Sequence, residues 1–168
     1  MRDTQKAFLW ITDILDSNNI IYRISGGFVA RVYGVNRELA DIDIEVSEKD
    51  IPTVAREAKP YIKFGPERYK DEHWDLELLT LEYEGQEIDI ACAEANIFNQ
   101  EEKQWEKTVS NLQDISMVEI YGKQVPIEKV DSLINYKIKL GREVDIEDVK
   151  QLSEIKKKMA EKHPGLIK

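Results

Sequence analysis

Ile24-Ser25-Gly26-Gly27, followed after thirteen intervening residues by Asp41-Ile42-Asp43-Ile44, carries the strongest signal in this chain. An apolar segment runs into two glycines, which have no Cβ and let backbone come close to another group. The chain then returns as a strand with period-two alternation. Asp41, Asp43 and Glu45 therefore share one face, while Ile42, Ile44 and Val46 share the other. Two carboxylates at this spacing, about 6.6 Å apart along an extended strand, repel unless a cation lies between them. Mg²⁺ is suited to that place because it prefers carboxylate, water and phosphate oxygens. Glycines at a strand-to-helix junction add what phosphate oxygens need, helix-terminal N–H groups and unobstructed backbone. Without the aspartates, Gly26-Gly27 would read as a tight turn.

Outward from this stretch, a helix capped by Asp3 or Thr4 is expected on the apolar stripe Ala7, Phe8, Ile11, Ile14 and Leu15. Residues 20–24 read as a buried strand and 28–33 as a short helix stopped by Gly34. Ser47 with Asp50 forms a capping pattern for a helix to about residue 59, with Pro52 in its first turn. A short strand at 61–64 is expected to give way to a polar loop through His73. Residues 74–83 and 86–93 form a hairpin turned at Glu84-Gly85, with Leu78-Leu79 breaking the alternation by a bulge or two-sided burial. On its second strand Glu87, Asp89 and Ala91 share a face. If that strand lies beside the Asp41 strand, about 4.8 Å away, Asp89 can join the two aspartates, with Glu87 as its rival.

Residues 96–111 turn polar around Trp105 and are expected to form helix and loop at the rim of the site. Residues 115–121 and 124–127 read as a second hairpin, in which Pro126 argues for an edge position. A helical segment then covers about 128–162, broken at Gly141. On its first helix Val130, Leu133, Ile134 and Gly141 define the inward stripe, and Lys137 falls in its middle. A buried, unpaired ammonium costs several kcal/mol, so Lys137 must snorkel, pair with Asp145 or Asp148, or face an anion.

The chain of 168 residues fits one domain, with 42% hydrophobic and 34% charged residues. No stretch approaches a membrane span, and no basic-then-apolar leader opens the chain, so a soluble, cytoplasmic protein is expected. Cys92 is the single cysteine, and His73 and His163, read as surface or loop residues, are too few for a zinc cage. The net charge of −9 disfavours nucleic acid as a partner. A cationic acceptor would be attracted, although solubility alone also accounts for the charge.

Gly26-Gly27-Phe28, Arg37, and Asp41-hydrophobic-Asp43-hydrophobic together resemble the signature of the DNA polymerase beta-like nucleotidyltransferase superfamily, and most of all the small bacterial antibiotic and minimal nucleotidyltransferases. Leu39 and Phe28 depart from the histidine and tryptophan found there, and no role is carried over to them. The run Asp131-Ser132-Leu133-Ile134, Tyr136-Lys137, Gly141-Arg142, Asp145, Asp148 and Leu152 resembles the carboxy-terminal helical segment of the same families. The resemblance implies an α+β fold, a mixed β-sheet flanked by helices with a C-terminal helical hairpin. It also implies transfer of a nucleoside monophosphate from an NTP to an acceptor hydroxyl. In that scheme Asp41, Asp43 and Asp89 hold Mg²⁺, and Asp89 takes the hydroxyl proton. Ser25, Gly26, Gly27 and Arg37 bind the nucleotide, and Lys137 approaches its phosphates. The acceptor itself is left open by the sequence: a small molecule, an aminosugar among the candidates, is favoured over nucleic acid, and a protein partner is also open. The alternatives are a non-catalytic nucleotide-binding or antitoxin-like regulatory module on the same scaffold, and an α/β domain with an acidic face and no nucleotide.

Overall fold

A computed structural model describes residues 1–162. His163 lies outside them. Nine strands join in one mixed sheet, β1 (Tyr22–Ser25), β2 (Asp41–Val46), β3 (Ile62–Lys70), β4 (Trp74–Tyr83), β5 (Gln86–Cys92), β6 (Glu94–Asn99), β7 (Gln104–Val109), β8 (Ile115–Ile120) and β9 (Lys123–Glu128). Their order is β7-β6-β4-β5-β2-β1-β9-β8, with β3 paired to β4 off this path. Five helices flank it, α1 (Thr4–Ser17), α2 (Gly26–Tyr33), α3 (Ile51–Glu57), α4 (Val130–Leu140) and α5 (Glu143–Lys162).

The alternation in β2 decides the layering. Ile42, Ile44 and Val46 are fully buried in a core with Phe8, Ile11 and Leu15 of α1 and Val29 of α2, leaving Asp41, Asp43 and Glu45 on the opposite face. Asp3 caps α1, its carboxylate accepting from the Lys6 N–H at 2.9 Å. Gly34 ends α2 in the left-handed conformation, as Gly141 ends α4. Glu84-Gly85 turns β4 into β5 with both residues at positive φ, the backbone a two-residue hairpin requires. Leu78 lines the cleft described below and Leu79 lies in the core, so the broken alternation is two-sided burial.

Four expectations are corrected. Residues 96–111 do not form a helix. β6 and β7 pair as an antiparallel hairpin with Phe98 opposite Trp105 and Ile97 opposite Glu106. This hairpin sits at the sheet edge, where charged side chains can point outward and apolar alternation is not imposed. The polar loop before His73 is strand β3, whose register on β4 shifts on both sides of Phe64. These irregularities accommodate Pro66, which has no N–H for the ladder. Pro126 is not at the edge: β9 lies between β1 and β8, and the edge strand is β8. The parallel pairing of β9 to β1 is limited to Ile24 opposite Ile127, past Pro126. Ser47 caps nothing with its side chain, and a short 3-10 turn precedes α3.

Candidate active site

The carboxylates are gathered by strand register. β2 runs parallel to β5, setting Asp41 beside Glu87 and Asp43 beside Asp89. β1 runs antiparallel on the other side of β2 and sets Ser25 beside Asp43. The Ser25-Gly26-Gly27 turn thus ends against the acids, and the Ser25 hydroxyl is not used to cap α2. Gly26 has φ of +65°, and a Cβ there would fall 2.0 Å from Asp43 Oδ2. A Cβ on Gly27 would lie 2.9 Å from Arg37 Cζ. Both glycines admit a charged side chain against bare backbone.

Oxygens of Asp41, Glu87 and Asp89 lie within 4.8 Å of one another. Glu87, the rival third acid, therefore stands in this cluster beside Asp89, and Asp43 adjoins it from the Gly26 side. Burial, then the charges of Asp41 and Asp89, hold the Asp43 carboxyl well above the ordinary range, against the opposing pull of Lys137. Asp89 is pushed up to about 6, chiefly by burial and further by Asp41 and Glu87, while a hydrogen bond from Thr80 works the other way. The Thr80 hydroxyl donates to Asp89 Oδ1 at 2.6 Å. Like-charged oxygens this close, on hard oxygen ligands, make a donor set that fits Mg²⁺.

Opposite the acids stands the α4–α5 hairpin. Lys137, 3% exposed, pairs with Asp145 at 3.3 Å and Asp148 at 2.9 Å. Asp148 also accepts from Arg37 Nη1 at 2.5 Å. Asp145 takes Arg142 by Nε and Nη2 at 2.6 and 3.1 Å. Burial works to raise the Asp145 carboxyl, but the Arg142 hydrogen bonds and the Arg142 and Lys137 charges hold it below its usual value. Arg31, in contrast, donates to the Arg37 carbonyl on the surface. On the far wall Trp74 donates from Nε1 to Tyr136 Oη at 2.8 Å, and the Arg142 guanidinium lies 4.7 Å above the Trp74 ring.

Together these groups line a cleft of about 450 Å³ that holds Ser25, Gly26, Gly27, Arg37, Asp41, Asp43, Asp89 and Lys137. Its floor reaches Glu45 and Glu128, both bonded to the buried Arg23, at 2.7 and 3.4 Å. Burial and then the charge of Glu45 push the Glu128 carboxyl up to about 7, with Arg23 and Ser132 opposing. Sequence reasoning missed Thr80, Trp74, Tyr136, Arg142 and the Arg23 network as parts of the site. Thr80 could have been found: a two-residue turn at Glu84-Gly85 places residue 80 opposite 89. Trp74 and Tyr136 had no such signal.

No protein-family model matches the sequence, and no curated protein matches it. Solved structures do. A candidate nucleotidyltransferase from Thermotoga maritima is 20% identical with a TM-score of 0.70, covering 96% of each chain. The lincomycin-bound lincosamide antibiotic adenylyltransferase LnuA is 18% identical with a TM-score of 0.61, over 92% of this chain and 99% of that one. ANT(2″)-Ia in complex with adenylyl-2″-tobramycin is 14% identical with a TM-score of 0.52, over 95% and 98%. The chain accordingly has the nucleotidyltransferase fold, a mixed sheet flanked by helices with the last two at the C-terminal end.

Proposed function

We propose that the protein is a metal-dependent nucleotidyltransferase that moves a nucleoside monophosphate from an NTP to the hydroxyl of a small-molecule acceptor. The observation that carries this reading is the paired register of β2 with β5, which sets four carboxylates opposite a glycine turn and a lysine-bearing hairpin. Asp41, Asp43 and Asp89, with Glu87 adjoining, would hold Mg²⁺, which when bound neutralises phosphate charge and orients the triphosphate. Ser25 and the Gly26-Gly27 backbone cradle the terminal phosphates, with Arg37 and Lys137 offsetting their charge. Asp89 accepts the acceptor's hydroxyl proton. The freed oxygen bonds to the α-phosphorus, the bond to the bridging oxygen breaks, and pyrophosphate departs.

The acceptor side is lined by Tyr69, Leu76, Leu78, Thr80, Glu87 and Asp89, none of them cationic. Such a wall favours an acceptor with an apolar face and neutral or positive polar groups over a polyanion. The lincomycin-bound lincosamide adenylyltransferase and the complex with adenylyl-2″-tobramycin among the structural neighbours point the same way. Retention of every acid leaves the non-catalytic alternative unsupported. No described helix is long and apolar enough to cross a membrane, in keeping with a cytoplasmic enzyme. The test is incubation with each NTP, Mg²⁺ and panels of aminosugar, other hydroxylated small-molecule, RNA and protein acceptors. Pyrophosphate release with a small molecule is expected; no nucleotide binding at all would overturn the reading.

A further inference from the structure

Arg37, Asp148, Lys137, Asp145 and Arg142 form one line of alternating charge along the cleft. Its two carboxylates are almost fully buried, Asp145 at 0% and Asp148 at 1% exposure, while all three cations line the cleft. Each cation spends only part of its donors on these acids. Arg37 uses Nη1 on Asp148, and Arg142 uses Nε and Nη2 on Asp145, so Nη2 of Arg37 and Nη1 of Arg142 make no hydrogen bond among the described residues. Lys137 has three N–H groups and two acidic partners.

A set of buried ion pairs is a weak stabiliser compared with apolar side chains of the same volume. Five charges kept in one line along a cleft therefore need another reason. Asp148 is the shared element, since one oxygen, Oδ2, receives both Arg37 and Lys137. These cations come from different parts of the chain: Arg37 precedes β2 and lies on the Cα of Gly27, whereas Lys137 is on α4. A long cation held in place beforehand does not lose its rotamer freedom when the anion arrives.

Resting on the nucleotidyltransferase reading, we propose that Asp148 is a positioning residue that fixes Arg37 and Lys137 as a single receiver for the triphosphate tail. Two effects of removing its charge oppose each other, which makes the idea testable by sign. Asp148→Asn adds one unit of positive charge beside the phosphates and by Coulomb attraction alone would tighten NTP binding. Loss of positioning loosens it.

The experiment is calorimetry of wild type and Asp148→Asn, with Mg²⁺, against the NTP that binds wild type and the corresponding diphosphate and monophosphate. The expected result is a loss of NTP affinity on the order of ten- to a hundredfold, a smaller loss for the diphosphate and none for the monophosphate. NTP affinity that is unchanged or tighter overturns the proposal, as does an equal loss for all three nucleotides. Asp148→Glu, which keeps the charge but displaces the oxygen that Arg37 and Lys137 share, is measured in parallel in case Asp148→Asn does not fold. It should show the same tail-dependent loss, and unchanged NTP affinity there also overturns the proposal. Wild-type protein that binds no nucleotide would remove the proposed function and this inference together. Wild-type binding with unaffected variants removes the inference alone.

Discussion

Gly26 lies against Asp43 so closely that a Cβ would fall 2.0 Å from the carboxylate oxygen, and its backbone is left-handed at φ +65°. Gly26→Ala therefore meets two penalties, about 1–2 kcal/mol for the backbone region and a clash that displaces Asp43. Denaturant melts should show the stability loss, and nucleotide transfer should fall further than stability accounts for. At Gly27 the neighbour is the end of a flexible Arg37 side chain, so Gly27→Ala should disturb NTP affinity more than folding.

Asp43 is held among Asp41, Asp89 and Glu45 with burial opposing its charge. Asp43→Asn removes that repulsion. Metal-free protein carrying it should melt at or above the wild-type temperature, while transfer is abolished. Retained transfer would mean that the metal site is elsewhere.

The elevated carboxyl of Asp89 makes a pH prediction whose sign is set by linkage. A carboxyl that titrates near 6 in the fold and near 3.9 unfolded binds its proton more tightly when folded. Its contribution is fully present below about 4 and is lost as pH rises through about 6. Other carboxylates, such as Asp145, shift downward and contribute the opposite slope, so the informative quantity is the difference from Asp89→Asn. In metal-free protein the melting temperature of Asp89→Asn relative to wild type should climb between pH 4 and 7. Added Mg²⁺ should stabilise wild type and shrink that gap, because the cation competes with the proton for the carboxylates.

Lys137→Met leaves Asp145 and Asp148 buried without their shared cation. Each acid keeps one arginine, Arg142 on Asp145 and Arg37 on Asp148, so the cost falls below the about 3–5 kcal/mol of a buried charge left unpaired. The variant should lose stability by thermal melting and also bind NTP more weakly. A stability loss with unchanged NTP affinity would make Lys137 a purely structural pair.

Arg23, 3% exposed, sits between Glu45 and Glu128, two acids on one base. Glu128→Gln removes the excess charge, so at pH 8 it should be neutral or stabilising, with the gain fading toward pH 5 where Glu128 is already protonated. Arg23→Met leaves both glutamates uncompensated and should destabilise by several kcal/mol. Melting curves of both variants at the two pH values check this.

Asp41 and Asp43 were legible because a strand sorts residues by a period of two, and the interleaved isoleucines state which face is buried. Lys137 was legible as an exception to a helical stripe, and the burial of its ammonium beside Asp145 and Asp148 matches one of the fates that stripe allowed. The β6–β7 hairpin was not legible, since a strand exposed at a sheet edge need not alternate, and its charges resembled those of a surface helix.

Local pattern thus carried the glycine turn and the acidic strand faces, because backbone periodicity and turn chemistry act over a few residues, while the fold class followed from the resemblance of two separated motifs to a known superfamily. Tertiary structure alone set Glu87 beside Asp41, joined Trp74 to Tyr136, and brought Arg37 and Lys137 onto one oxygen of Asp148. Those meetings depend on which strands become neighbours and on where a helix 111 residues away in sequence comes to rest. Long-range packing of the whole chain decides both, and no short window of residues contains it.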